Sequence, residues 1–114
     1  MNASQFEPVG PLSGLREGRM RSCRISGRDV LVCRTREGVF AVDNICTHAY
    51  ARLTEGMLRG TRVVCPLHGA SFDVRTGEVL GGPATQPLVR HQVRVVNDVI
   101  EVAINPDAPP PPEP

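Results

Sequence analysis

Two short segments of the chain each place one cysteine and one histidine close together, as Cys46-x-His48 and Cys65-x-x-His68. Sixteen residues separate the first segment from the second. Thiolate sulfur and neutral imidazole nitrogen are strong donors to soft and borderline metals. The chain has only four cysteines and three histidines, so most of its donors of these two types fall in the paired segments. The spacing therefore indicates a metal centre held by two thiolates and two imidazoles.

Two kinds of metal centre use this set of donors. Tetrahedral zinc accepts two Cys and two His, but zinc modules usually place the two cysteines together and the two histidines together. A Rieske 2Fe–2S centre has two histidines on one iron, where an ordinary cluster has two cysteines. Because Cys and His alternate within each segment, the pattern favours the iron–sulfur centre, and zinc is the alternative.

The residues around the second pair carry a family resemblance. Residues 65–73 (CPLHGASFD), the turn at residues 76–78 and the segment 81–84 (GGPA) resemble the second cluster loop, the next turn and the proline loop of Rieske-type 2Fe–2S ferredoxins. The similarity runs from about residue 6 to residue 104 and is closest to the ferredoxins of bacterial aromatic-ring-hydroxylating dioxygenase systems. The resemblance implies one Rieske 2Fe–2S cluster. Its ligands would be Cys46 and Cys65 on one iron, and His48 and His68 on the other.

The resemblance also predicts the reduction potential of the cluster. High-potential Rieske proteins of respiratory chains carry an extra cysteine in each loop, and Ala51 and Leu67 stand at those positions here. Those proteins also place a serine and a tyrosine hydroxyl near the cluster sulfurs, where this chain has Ala70 and Phe72. Hydrogen bonds to sulfur stabilise the reduced cluster, so their absence predicts the low end of the Rieske range, near about −150 mV.

Composition describes a small and nearly neutral protein. The 114 residues suffice for one domain, and the formal net charge of +1 provides no basic surface for nucleic acid or an anionic membrane. The apolar runs have strand length only, and the first ten residues lack the basic and apolar regions of a signal peptide. We therefore expect a cytoplasmic monomer with no membrane or nucleic-acid partner.

Short alternating runs predict strands at residues 20–25, 29–35, 39–43, 62–65, 89–95 and 99–104. No run has the 3.6-residue period of a helix. We expect an all-β fold, a Rieske-type antiparallel β-sandwich or barrel with the cluster-binding loops at one end. Residues 1–104 would form this domain. Residues 105–114, where five of the last six residues are proline, would be a disordered tail, with a polyproline ligand as the alternative.

Motifs that the chain lacks narrow its function. It has no Gly-rich dinucleotide fingerprint, so its electron must come from another protein. Only His91 remains after the four ligands, which is too few for the two-His, one-carboxylate iron of an oxygenase. The resemblance therefore implies a one-electron carrier, not an enzyme. It would pass electrons from a flavin-dependent ferredoxin reductase to a terminal Rieske non-haem iron dioxygenase. The small Rieske-type subunit of an assimilatory nitrite reductase is the alternative.

Two further expectations concern residues outside the ligand set. Cys23 and Cys33 lie on predicted strands, and we expect them to be buried free thiols. If both imidazoles lie at the tip of the molecule, as in the family, a docking surface should surround them. We assign to this surface Tyr50, Arg52, Leu67 and Pro83.

Overall fold

The computed structural model describes residues 5–48 and 51–110. Within them lie two single 3-10 turns and ten strands, and no helix long and apolar enough to cross a bilayer. The turns are Leu12–Gly14 and Leu53–Glu55. The strands are β1 (Glu7–Pro11), β2 (Arg19–Ile25), β3 (Arg28–Thr35), β4 (Gly38–Asp43), β5 (Met57–Arg59), β6 (Arg62–Val64), β7 (Ser71–Asp73), β8 (Val79–Gly81), β9 (Arg90–Val96) and β10 (Val99–Ala103). The predicted all-β class is confirmed, and the six predicted strands correspond to β2, β3, β4, β6, β9 and β10.

Six strands form an antiparallel sheet in the order β1-β10-β9-β4-β3-β2, which curls into a barrel. Arg21 on β2 spans the gap between the two outer strands. Its guanidinium donates to Val9 O on β1 at 3.2 Å and to Gly14 O at 3.1 Å. Gly10 faces this guanidinium with φ +123°, and a Cβ at that position would collide with it. Arg21 therefore links β1 and β2, the two edge strands, which are not paired with each other in the sheet.

The other four strands form a smaller antiparallel sheet in the order β5-β6-β7-β8. Strand β3 lies between two cores, because successive side chains on a strand point to opposite faces. Val30 and Val32 point into the barrel, whereas Leu31 and Cys33 pack in a second core with Phe72 of the small sheet. The continuous apolar run in β3 is thus buried on both faces, which holds the two sheets together.

All four cysteines are free thiols. Cys33 is fully buried, and burial raises its pKa to about 12. Cys23 is half-buried, and burial is also the main cause of its raised pKa. The expectation of free thiols is confirmed, whereas full burial holds only for Cys33.

A buried ionic network lies where β3 begins, β4 ends and β9 begins. Arg28 donates through Nε and Nη2 to the two carboxylate oxygens of Asp43, at 2.7 and 2.9 Å. His91 Nε2 lies 2.8 Å from Asp43 Oδ1, and its Nδ1 accepts the N–H of Asn105 at 3.1 Å. Nε2 therefore carries the hydrogen and donates to the carboxylate. Burial alone would raise the pKa of Asp43, but the hydrogen bonds from His91 and Arg28 outweigh it and hold that pKa below its usual range.

The segment after β10 completes this network. The carbonyl of Pro109 accepts a hydrogen bond from Arg28 Nη1 at 2.6 Å, and Asn105 Nδ2 donates to Arg90 O at 3.2 Å. No sequence pattern predicts these contacts, because they use backbone groups and one amide instead of apolar side chains. Residues 105–110 thus contact the domain. Residues 111–114 lie outside the described part of the chain, and the boundary at residue 104 stays a prediction.

Candidate metal centre

The two cysteines of the candidate site occupy equivalent places in two loops. Cys46 follows β4, Cys65 follows β6, and each is 2% exposed. In both loops the cysteine N–H donates to the carbonyl five residues further along. These bonds join Cys46 N to Ala51 O at 2.9 Å and Cys65 N to Ala70 O at 2.7 Å. One type of closing bond therefore produces two loops of equal size, each with its thiol turned inward.

The two thiols belong to the same buried core, and each is close enough to affect the other. Burial raises the pKa of the Cys65 thiol, the Leu67 N–H lowers it, and the neighbouring Cys46 thiol raises it again. The net shift is upward, so Cys65 holds its proton at neutral pH when no metal is bound. Metal binding at this pair must therefore release protons.

The two histidines lie on the outer side of the same loops. His48 and His68 are both exposed, and their ring centroids are 5.4 Å apart with an interplanar angle of 74°. His68 (φ +63°) and Gly69 (φ +74°) are successive left-handed residues, which turn the chain sharply at this point. A left-handed non-glycine residue costs on the order of 1 kcal/mol or more and is typical of functional sites. The two loops thus pair Cys46 with Cys65 in the core and His48 with His68 at the surface.

A third segment, residues 81–87, lies beside the first loop. Thr47 Oγ1 donates to Gln86 O at 2.7 Å, and Ala84 is buried in the same core as the two cysteines. The segment contains the cis peptide bond between Gly82 and Pro83. These contacts support its interpretation as the proline loop of the cluster site.

The geometry of the site fits a two-iron cluster better than a single ion. Among residues 5–48 and 51–110, no three His, Cys, Asp or Glu side chains converge on one position, as a zinc ion would require. Instead the two thiols lie together and the two imidazoles lie together. A Rieske cluster divides its ligands in the same way, with two histidines on one iron. The arrangement of the four donors therefore disfavours the zinc alternative.

Asn44 joins the two ends of the first loop. This side chain is fully buried; Nδ2 donates to Asp29 Oδ1 at 3.0 Å and to Thr54 Oγ1 at 3.1 Å, and Oδ1 accepts the Thr54 N–H at 2.9 Å. Its backbone carbonyl accepts the N–H of Leu53 at 2.7 Å. Asn44 is not among the site residues that the sequence predicted. Its position two residues before Cys46 was the only available signal.

Arg52 also helps to hold the first loop, because it contacts the same aspartate as Asn44. Its Nε donates to Asp29 Oδ2 at 3.1 Å and its Nη2 to Ser22 Oγ at 3.0 Å. We expected Arg52 to supply a charge at the rim of the docking surface, but Asp29 largely neutralises that charge. Tyr50, the aromatic residue assigned to the same surface, lies outside the described residues.

Replacement of Asn44 by alanine is expected to weaken retention of the cluster. The change removes hydrogen-bond partners from the partly buried Asp29 and Thr54, and an unpaired polar group that is fully buried costs about 1–3 kcal/mol. The visible absorbance of the loaded protein should decay several-fold faster at a fixed elevated temperature. Asn105→Ala, which removes an amide outside the loop, is the control. Equal half-lives of Asn44→Ala and the unaltered protein would contradict this role.

Comparisons with known proteins identify the family. A Rieske [2Fe-2S] domain model matches residues 5–99. The chain is 36% identical over 97 residues to the ferredoxin component of the naphthalene 1,2-dioxygenase system of Pseudomonas putida, which covers 85% of this chain and 92% of that protein. It is similar to the ferredoxin of carbazole 1,9a-dioxygenase from Nocardioides aromaticivorans IC177, with a TM-score of 0.86, 34% identity, and coverage of 90% and 100%.

A further match comes from the complex of reduced oxygenase and oxidized ferredoxin in carbazole 1,9a-dioxygenase, with a TM-score of 0.82, 33% identity, and coverage of 86% and 92%. A nitrite reductase small subunit from Mycobacterium tuberculosis has a TM-score of 0.77 at 23% identity and shares the fold alone. These comparisons confirm the predicted family. The chain belongs to the Rieske [2Fe-2S] domain family, and its cofactor is one 2Fe–2S cluster.

Proposed function

We propose that this chain is the ferredoxin component of an aromatic-ring-hydroxylating dioxygenase system. It accepts one electron from a flavin-dependent ferredoxin reductase and passes it to the terminal oxygenase. It catalyses no reaction of its own. The observation that carries the proposal is the division of the site into two buried thiols and two exposed imidazoles. We extend the proposal to a monomer that acts in the cytoplasm.

We propose further that Cys46 and Cys65 bind one iron, and that His48 and His68 bind the other. When bound, the cluster supplies one reversible electron site, and its neutral histidine ligands favour reduction relative to an all-cysteine cluster. The buried thiols exclude water from the inner side of the site. The exposed imidazoles bring the outer side to the surface, where a partner protein can approach closely.

The relatives support this assignment. Proteins that match most of the chain are named as ferredoxin components of naphthalene and anthranilate dioxygenase systems. A structurally similar ferredoxin forms a complex with the oxygenase of its own system. The reductase is part of the proposal because the sequence contains no dinucleotide-binding fingerprint through which the chain could be reduced directly.

Electron transfer between purified proteins tests the proposal. The reduced protein is mixed in a stopped-flow spectrometer with the oxidised oxygenase component of a naphthalene 1,2-dioxygenase system. A parallel experiment uses an assimilatory nitrite reductase that lacks its small subunit. We expect saturable oxidation of the ferredoxin by the oxygenase and only slow oxidation by the nitrite reductase. The opposite preference would favour the nitrite reductase alternative.

The reduction potential provides a separate prediction. Ala70 and Phe72 are fully buried, and neither offers a hydroxyl to the cluster. We expect a midpoint of about −150 mV, and we expect Ala70→Ser and Phe72→Tyr each to raise it. Voltammetry at neutral pH measures the shift, with Ala41→Ser, a buried site in the barrel core, as the control. A positive midpoint in the unaltered protein, or no upward shift in either variant, would contradict the prediction.

A further inference from the structure

The three segments around the candidate metal centre contain no permanently charged residue. These segments are residues 46–51, 65–71 and 81–87, and none contains Asp, Glu, Lys or Arg. Within residues 5–48 and 51–110, one hydrogen bond joins a charged side chain to any of them: Arg62 Nη1 donates to Ser71 Oγ at 2.8 Å. Arg62 therefore brings a positive charge to a site whose own segments supply none.

The guanidinium of Arg62 lies at the loop end of the small sheet. Arg62 itself begins β6 and pairs with Asp73, at the end of the sheet away from the loop. Ser71 is the first residue of β7, so the side chain of Arg62 must run along the sheet toward the loop to reach it. Ala70 directly precedes Ser71, and its carbonyl accepts the Cys65 N–H at 2.7 Å. The guanidinium thus contacts the neighbour of the residue that closes the second loop.

The third segment borders the same guanidinium. Gly81 lies opposite Ser71 in the pairing of β7 with β8, and Gly82 and Pro83 follow directly. A Cβ at Gly81 would lie 2.9 Å from Ser71 Oγ and 3.9 Å from Arg62 Nη1. Glycine therefore leaves room for the arginine–serine pair, which lies between the second loop and the third segment.

The positive charge of Arg62 has no ionic partner in the described part of the chain. Its neighbour across the strands, Asp73, is bound by the side chain of Arg75 through two hydrogen bonds at 2.9 and 3.0 Å. Arg52, which directly follows the first loop, is paired with Asp29 at 3.1 Å. Arg62 thus differs from Arg52, because no carboxylate neutralises its charge.

A charge at this position acts on an electron that is added to the cluster. The path from Cys65 runs through the loop-closing bond and Ser71 to the guanidinium, which limits the separation to on the order of 10–15 Å. Reduction adds one negative charge, and a positive charge at this distance stabilises it. Because Arg62 is exposed, water weakens the attraction, which corresponds to about a two- to four-fold change in the equilibrium constant for reduction.

We propose that Arg62 raises the reduction potential of the cluster, and that Ser71 is a positioning residue that directs the guanidinium toward the second loop. This effect opposes the absence of hydroxyls at Ala70 and Phe72, which lowers the potential. The inference depends on the cluster and not on the partner proteins of the proposed function. Either can therefore fail while the other holds.

Voltammetry of the cluster-loaded proteins at low salt tests the role of the charge. Arg62→Gln removes the charge and keeps a polar side chain, and it should lower the equilibrium constant for reduction about two- to four-fold. This change is about 20–35 mV at ~59 mV per ten-fold for one electron. Arg62→Lys keeps the charge and should stay within about 1.5-fold of the unaltered protein. No shift in Arg62→Gln, or an equal shift in Arg62→Lys, would overturn the proposal.

Arg36→Gln is the matched control for net charge. Arg36 is exposed in the β3–β4 turn and forms no ion pair among the described residues. The first cluster loop follows the other end of β4, whose 6 residues span about 20 Å. Arg36→Gln should therefore shift the potential about half as much as Arg62→Gln or less. Equal shifts would show an effect of net charge alone and would overturn the assignment to Arg62.

Two further measurements separate the charge from a change in loop structure. The difference in potential between Arg62→Gln and the unaltered protein should shrink as salt is added, because salt screens an exposed charge. The electron-spin-resonance spectrum of the reduced cluster should be the same in both proteins. A difference that does not respond to salt, or an altered spectrum, would indicate a distorted loop and overturn the electrostatic role.

A double-variant cycle tests the role of Ser71. Ser71→Ala should lower the potential less than Arg62→Gln does, because the guanidinium keeps its charge but loses its anchor. In the Arg62→Gln background the same change should have no effect, since no guanidinium remains to be positioned. Shifts of equal size in the two backgrounds would overturn the positioning role.

Discussion

Replacing Cys46 by serine or His68 by alanine is expected to give colourless protein, whereas Cys23→Ser should remain red-brown. Each of the first two changes removes one of the four donors that would hold the cluster, so the cluster should bind weakly and be largely lost. Cys23 lies on β2, outside both cluster loops, so its sulfur should be dispensable. Visible absorbance and electron-spin-resonance spectra of the purified proteins measure the result.

Cys46→Ser and His68→Ala should also be less stable than the unaltered protein. A bound cluster connects the loop after β4 with the loop after β6, so its binding free energy contributes to folding. The midpoints of thermal unfolding should therefore fall together with cluster content. A normal Rieske resonance signal in Cys46→Ser or His68→Ala, with the signal lost in Cys23→Ser, would refute the ligand assignment.

Replacement of Asp43 by alanine is expected to cost about 3–5 kcal/mol of stability, because it leaves a buried guanidinium without its counter-charge. The side chains of Arg28 and Asp43 are only 5% and 7% exposed. The matched control is Glu101→Ala, which breaks an ion pair at 2.6 Å with Arg94, whose side chain is 51% exposed. Such a surface pair contributes about 0–1 kcal/mol. Urea unfolding of the cluster-loaded proteins should show a larger loss of unfolding free energy for Asp43→Ala than for Glu101→Ala. Equal losses would contradict a stabilising role of the buried network.

Acid should abolish the stabilisation from Asp43. The pKa of this carboxyl is lower in the folded protein than its ordinary value of 3.8. Its contribution is therefore complete above about pH 4 and is lost as the pH falls through the lowered pKa of the folded state. The stability difference between the unaltered protein and Asp43→Ala should shrink over this acidic range. A difference that stayed constant down to pH 2 would contradict the assignment.

The strands that the sequence predicted are those with several alternating or continuously apolar residues, such as β3 and β9. The strands that it missed are short or contain turn-forming residues. β1 includes Pro8, Gly10 and Pro11, and it is a strand because an edge position with a bulge tolerates them. β5 and β7 have three residues each, which is too few to establish a period.

The ligands could be predicted because each pair is local in sequence, so their spacing is visible without a fold. The residues that hold the ligand loops in place are far apart in sequence. Asp29 accepts a hydrogen bond from Asn44 because the register of β3 and β4 brings these residues together. It accepts one from Arg52 because the bridge between Ile45 and Arg52 folds the first loop back. The hydrogen bond from Arg75, which follows β7, to Glu37 in the β3–β4 turn likewise joins two sheets. Sequence patterns cannot show such groupings, since they depend on pairings between distant strands.

The pairing of β1 with β10 has a consequence for the order of folding. Glu7 lies opposite Val102, so the first strand meets its partner only after nearly the whole described chain has been synthesised. Until then, the backbone groups of β1 are free to pair with other strands. Pro8 and the bulge near Gly10 make such pairing unfavourable. Contacts between such distant residues also slow folding. We therefore expect closure of the barrel to be a late and slow step, completed after the β3–β4 hairpin has formed.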